Sequence, residues 1–198
     1  MFENYKVFET EFAGRPLRVE TGKMAQLANG ACMVRYGDTA VLCTATASAK
    51  PREGMDFFPL SVDFEEKLYS VGRIPGSFLR RENKPPEKAI LASRLIDRSI
   101  RPLFPKDMRN DVTVVCTAMS VDQDCSPEIT ALVGASIALS MSDIPWKWPI
   151  SAVSFGLISG QHILHPARNQ REQSRMPVPD SSTAARNPII AAVSKHLS

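Results

Sequence analysis

Two short runs of this chain carry side chains able to grip an anion: Phe78-Leu79-Arg80-Arg81, and the trio Arg94, Arg98 and Arg101. Placed on a helix, the i, i+4, i+7 spacing of that trio gathers three guanidiniums within about 60° of one another. Like charges in such a stripe repel by roughly 0.2–0.5 kcal/mol per pair, so folding gains nothing from it unless an anion or acidic partner offsets the repulsion. Arginine is the residue suited to bidentate phosphate contact. An aromatic directly before two arginines is the combination that stacks bases and holds phosphates in single-stranded nucleic acid. The charge balance points the same way. Residues 78–109 hold nine Lys/Arg against four acids, while the segments on either side each sum to −1 and the whole chain to +3. The competing reading is a solvated helix face, with Arg94 or Arg98 paired to Glu87, Asp97 or a neighbouring chain.

The elements that must position these residues follow from periodicity. Tyr5 to Phe12 alternates apolar and polar, turns at Ala13-Gly14-Arg15-Pro16 and resumes at Leu17 to Glu20. Ala31 to Tyr36 and Thr39 to Thr46 bracket a Gly37-Asp38 turn, a hairpin signal, and Pro59 to Phe64 supplies another strand. Pro85-Pro86 then introduces a helix over Glu87 to Ile100, stopped by Pro102, with Ala89, Ala92, Leu95, Ile96 and Ile100 on its core face. Asp111 to Val121 reads as a buried strand. Ser126 caps a second helix reaching about Met141, and Ile150 to Leu164 forms a closing hairpin. The fold class is therefore α+β, helices packed on a mainly antiparallel sheet.

Bulk composition excludes several classes. No apolar run approaches the roughly 20 residues that span a bilayer, and the N-terminus lacks the pattern of a secretory or transit signal, so the expected location is cytoplasmic with no membrane contact. Cys32, Cys43, Cys116 and Cys125 form no CxxC pair, and His162 and His165 are spaced to opposite faces of a strand. No metal site is expected, and the cysteines read as buried reduced thiols.

The run Gly72-Arg73-Ile74-Pro75-Gly76-Ser77-Phe78-Leu79-Arg80-Arg81-Glu82, followed by Ser93-Arg94-Leu95-Ile96-Asp97-Arg98-Ser99-Ile100-Arg101-Pro102-Leu103-Phe104-Pro105, resembles the bacterial polynucleotide phosphorylase family. The match is to the first of its two RNase PH-like (ribosomal protein S5 domain 2-like) core domains. Supporting stretches are Gly37 to Leu42 and Pro127 to Ser136, and the resemblance covers residues 5–176. It implies a 3′-to-5′ phosphorolytic exoribonuclease of RNA degradation that uses inorganic phosphate, releases nucleoside diphosphates and works as a homotrimer around an RNA channel. Membership of a larger RNA-degradation assembly is a further expectation. The resemblance also implies that Phe78, Arg80 and Arg81 belong to the channel-lining loop, and Arg94, Arg98 and Arg101 to the basic helix beside it.

The same resemblance implies that catalysis and Mg²⁺ belong to the second core domain, with its serine-rich phosphate turn and metal-holding aspartates. Here the equivalent turn reads Asp124-Cys125-Ser126-Pro127-Glu128, one serine and a carboxylate where phosphate would sit. No catalytic residue, bound metal or cofactor is therefore expected in this chain. Residues 1–176 form the expected domain. From 177 the proline-interrupted sequence loses periodicity and reads as a divergent, disordered tail, the mark of a truncated or frame-shifted product. Two other functions compete: a module binding an anionic metabolite to regulate a partner, and a non-functional truncated remnant.

Overall fold

Apolar–polar alternation over the first fifty residues builds one continuous antiparallel meander. The computed structural model describes residues 4–51, 54–76, 78–82, 84–158, 161–174 and 178–183. Lys6–Phe12 (β1), Arg15–Thr21 (β2), Gly30–Tyr36 (β3) and Thr39–Pro51 (β4) are consecutive antiparallel neighbours. Ala13 and Gly14 both take positive φ, 49° and 74°, which gives the β1–β2 turn the twist a tight hairpin needs. Leu60–Glu65 (β5) and Asn110–Ser120 (β6) complete the sheet in the order β1-β2-β3-β4-β6-β5, with β5 parallel to β6. A parallel pair requires a crossover, and Glu87–Ile100 (α1) supplies it. Its bounds are those the two prolines predict, and Ala89, Ala92, Ile96 and Ile100 are its buried face.

Pro127–Met141 (α2) is apolar on all sides, and ten of its residues are buried. A helix of that kind must be enclosed. It packs on β3, β4 and β6 and, from its other side, on Ile150–Ile158 (β7) of a second sheet. Gln161–Leu164 (β8) pairs with one edge of β7, and Arg168–Gln173 (α3) follows. Contact between α2 and the large sheet is close. Gly30 stands where a Cβ would lie 2.1 Å from the Ala138 carbonyl oxygen. Cys32, Cys43 and Cys116 are direct cross-strand partners on β3, β4 and β6, and all three donate to α2 carbonyls, at Gly134 and Ala131. All four cysteines are free and buried. Burial pushes the Cys32 thiol up to about 12.

One expectation needs correction. The tail from 177 is not wholly without structure, because Val178–Thr183 (β9) pairs antiparallel with the other edge of β7. Strand pairing asks only for main-chain N–H and C=O groups facing a free edge, not for side-chain periodicity. As an edge strand, β9 also tolerates Pro179. Positions 177 and 184–198 lie outside the described residues.

Candidate nucleic-acid interface

Between β5 and α1 the chain makes a loop that is pinned at its base and free at its crown. A 3-10 turn over Leu68–Val71 starts it. The Ser70 carbonyl accepts the Val121 N–H at 3.1 Å, fixing that turn to the end of β6. At the other stem, both Glu82 carboxylate oxygens accept the Leu68 N–H, at 3.1 and 3.2 Å. Between these anchors Phe78 is 101% exposed, and Leu79, Arg80 and Arg81 are exposed with it. Arg80 holds a φ of 47°, a left-handed conformation that costs an L-residue of this size about 1–2 kcal/mol. Ser77 and Asn83 lie outside the described residues.

The helix beside the loop is docked by Ser93, whose hydroxyl donates to the Ala89 carbonyl (3.0 Å) and accepts the Phe64 N–H (2.9 Å). That contact fixes the rotation of α1 and leaves Arg94 and Arg98 exposed. Neither has an ion-pair partner among the described residues. The solvated-face reading offered Glu87, Asp97 or a neighbouring chain as a partner for either. Asp97 instead takes Arg101 in a bidentate pair, at 2.7 and 3.1 Å. Arg101 also donates to the Phe58 and Leu60 carbonyls, both at 3.2 Å, and lies over the Phe58 ring. The wheel places it with the other two, but it braces the end of α1 against the start of β5.

A cleft of about 490 Å³ runs between β5, the Glu82–Pro86 stem and α1. Lys67, Lys84 and Arg94 line it, but so do Asp63, Glu65, Glu66 and Glu82. Four carboxylates against three cations leave the cleft with no net positive charge to draw in a polyanion. The surface open to one is therefore the outer crown and the exposed arginine stripe.

The turn before α2 is locked shut. Thr39 Oγ1 donates to the Cys125 carbonyl (2.8 Å) and accepts the Asp122 N–H (2.9 Å), and Arg15 donates to the Asp124 carbonyl at 2.6 Å. Ser126 occupies the N-cap position but does not cap through its side chain, because its hydroxyl donates to the Glu128 carboxylate. Lys88 reaches across from α1 to within 3.0 Å of Glu128 and 3.4 Å of Glu66. Burial pushes the Glu128 carboxyl up, but the Ser126 hydroxyl, a backbone N–H and the Lys88 ammonium together hold it below its ordinary value. This helix start thus carries its own anion, already paired. Among the described residues no three His, Cys, Asp or Glu side chains gather where a metal ion would sit.

Lys88→Ala leaves a carboxylate with only 19% side-chain exposure unpaired; because Lys88 itself is 61% exposed, the expected loss is about 1–2 kcal/mol at pH 7. A group with a lowered folded pKa stabilises above its unfolded value, 4.5 for Glu128, and that stability disappears as pH falls through the lower folded value. The Lys88→Ala deficit should accordingly shrink under acid, and Glu128→Gln added to Lys88→Ala should recover most of it at pH 7. Urea denaturation at pH 7 and in acid, below the Glu128 titration, checks this, and equal midpoints for Lys88→Ala and the parent at pH 7 would refute it.

A mixed sheet with one βαβ crossover, an enclosed central helix and a small second sheet is the RNase PH-type architecture. It superposes on a chain of the Archaeoglobus fulgidus exosome with RNA bound to the active site, with a TM-score of 0.62 and 16% identity over 94% of this chain and 75% of that one. Rice (Oryza sativa) Rrp46 gives a TM-score of 0.63 and 15% identity, over 94% of this chain and 76% of that one. Residues 13–145 match the model of the 3′ exoribonuclease family, domain 1, and the chain belongs to that family. It is 60% identical over 188 residues to the polyribonucleotide nucleotidyltransferase of Ruminiclostridium cellulolyticum, covering 95% of this chain and 27% of that protein. To the same-named protein of Clostridioides difficile it is 61% identical over 183 residues, 92% of this chain and 26% of that protein. The chain thus spans about a quarter of the length of these relatives.

Proposed function

We propose that this chain is the RNA-guiding domain of a polynucleotide phosphorylase-type exoribonuclease, which shortens single-stranded RNA from its 3′ end with inorganic phosphate. The observation that carries the reading is the pairing of a fully exposed Phe78 and two exposed arginines on a pinned loop with two arginines on the adjoining helix, Arg94 and Arg98, that are exposed and have no ion-pair partner among the described residues. Such a surface offers stacking and phosphate contact without base-edge readout, as a processive degrader of varied RNAs requires. Relatives named polyribonucleotide nucleotidyltransferase support it. RNA then contacts Phe78, Arg80, Arg81, Arg94 and Arg98, while Arg101 holds the helix that presents them.

The phosphorolytic step belongs to residues outside this chain, since the turn before α2 that corresponds to the family's phosphate turn carries Glu128, paired with Ser126 and Lys88. Mg²⁺ is assigned to the same outside residues. The assembly is a homotrimer acting in the cytoplasm, with three copies of the Phe78 loop around one channel and an RNA-degradation assembly as a further partner. A metabolite-binding module would need its arginines to converge on an enclosed cavity. These arginines are exposed, and the cleft that Arg94 borders has no surplus of positive charge.

The test is a phosphorolysis assay on the 198-residue chain with labelled single-stranded RNA, phosphate and Mg²⁺, with gel-shift binding scored in parallel. Binding without turnover is the expected result. Release of nucleoside diphosphates would overturn the division of labour, and failure to bind would overturn the RNA reading.

A further inference from the structure

The loop that carries Phe78, Arg80 and Arg81 ends on a residue whose charge opposes theirs. Glu82 follows Arg81 directly, and a carboxylate there subtracts from the positive field that a polyanion meets. Among the described residues it forms no ion pair, with Arg80, Arg81 or any other cation. Both of its oxygens go instead to one backbone donor, the Leu68 N–H, at 3.1 and 3.2 Å. That donor is the orphan N–H at the start of a 3-10 turn, where Lys67 holds the N-cap position without a side-chain hydrogen bond. The turn is itself fixed. The Arg73 N–H donates to the Leu68 carbonyl and the Gly72 N–H to the Tyr69 carbonyl, both at 2.9 Å, and the Val121 N–H reaches the Ser70 carbonyl at 3.1 Å. Among the described residues no other hydrogen bond joins residues 74–81 to the body of the domain.

We propose that Glu82 is the positioning residue of the RNA-binding loop: it ties the arm bearing Arg80 and Arg81 to the Leu68–Val71 turn and so holds both guanidiniums ready for phosphate. The inference rests on the RNA reading above and adds to it a residue that acts through its neighbours. Its two hydrogen bonds join positions fourteen apart, so they close the whole loop. Without that closure the arm samples many conformations, and binding must restore the lost order. One peptide unit separates Glu82 from Arg81, consecutive Cα atoms being about 3.8 Å apart, so a fixed Glu82 leaves Arg81 little room to wander. The direction of the carboxylate matters as well. Turned onto a main-chain N–H, it leaves the guanidiniums unpaired for phosphate, whereas a released carboxylate beside two arginines would compete for them.

Glu82→Gln and Glu82→Ala separate position from charge, with labelled oligoadenylate as the probe and the 198-residue chain as the protein. Both remove the negative charge, so if Glu82 acted through charge alone both would bind RNA more tightly than the parent, and equally. Glutamine keeps an oxygen for the Leu68 N–H, and Glu82→Gln should bind at least as tightly as the parent. Glu82→Ala should bind about fivefold less tightly than Glu82→Gln, because an arm competent for a fifth of the time raises the apparent Kd by that factor. The two should share one salt slope, since neither loses a phosphate contact. By NMR, the Leu68 amide should exchange with solvent faster in Glu82→Ala alone. The proposal is overturned if the two variants bind alike, if the Leu68 amide exchanges equally in both, or if the weaker binding of Glu82→Ala tracks a loss of folded protein by circular dichroism. Arg80→Ala with Arg81→Ala is run beside them. If that variant binds like the parent, the RNA reading falls and this one with it; if it binds weakly while the Glu82 variants match, only the positioning role falls.

Discussion

Replacing Arg80 and Arg81 together by alanine is expected to weaken single-stranded RNA binding about a hundredfold while leaving the melting temperature unchanged. Each guanidinium–phosphate contact contributes about 1.5 kcal/mol, so two give about 3 kcal/mol, or two powers of ten. Because each phosphate neutralised in a single strand adds roughly 0.7 to the salt slope, the double variant should titrate with a slope shallower by about 1.4. Both side chains are exposed, so the folded state loses little. Two contrasts sharpen the result. Phe78→Ala should lose about 1–3 kcal/mol of binding through stacking, with the salt slope intact. Arg101→Ala should do the reverse, lowering thermal stability by releasing the Asp97, Phe58 and Leu60 contacts and barely moving the slope. A double variant whose slope matches the parent's would remove Arg80 and Arg81 from the interface.

The second large effect lies in the core. Gly30→Ala should destabilise the fold by about 3 kcal/mol or more, at the upper end of the cost of overpacking. The added Cβ would stand 2.1 Å from the Ala138 carbonyl oxygen and 3.0 Å from Ser142 Cβ. Ala138 is fully buried, and its carbonyl belongs to the α2 backbone, so relief means shifting a helix clamped between two sheets. For a chain of this size that corresponds to a fall in Tm on the order of 6–12 °C by calorimetry. Gly134→Ala is the milder companion. Its Cβ would meet the Cys43 thiol at 2.5 Å, a side chain rather than backbone, and alanine recovers about 1 kcal/mol of helix propensity. Equal, small losses at both positions would mean that α2 slides freely on the sheet.

Much of this molecule is written locally. Prolines at 86 and 102 bound α1 to the residue, and turn chemistry at Ala13-Gly14 and Gly37-Asp38 marks the hairpins. What escapes a reading of the sequence is decided by neighbours distant along the chain. Arg101 looks like a third member of a basic stripe until the Phe58 and Leu60 carbonyls, over forty positions away, come to meet it. Glu128 is legible as a carboxylate in an odd place, but Lys88 as its partner is not, because β6 separates α1 from α2 in sequence and only the fold brings the two helices together. The six-residue α3 has no apolar periodicity, and it is held by main-chain and polar contacts to the Asp122–Cys125 turn, such as Arg168 N–H to Asp124 (2.9 Å). The strand at Val178–Thr183 follows from the free edge of β7, not from its own composition.

The row of thiols between the large sheet and α2 gives the chain a built-in clock. Cys32, Cys43 and Cys116 sit on three neighbouring strands, at 2%, 0% and 0% exposure, and burial holds the Cys32 and Cys43 thiols protonated at neutral pH. An alkylating reagent therefore waits for the strands to part, and its rate counts openings of the whole sheet rather than surface fluctuation. Because one helix covers all three sulfurs, they should be alkylated together, as a single jump of three mass increments with no one- or two-label species accumulating. Cys125, outside the row on the turn before α2, should gain its label on a schedule of its own.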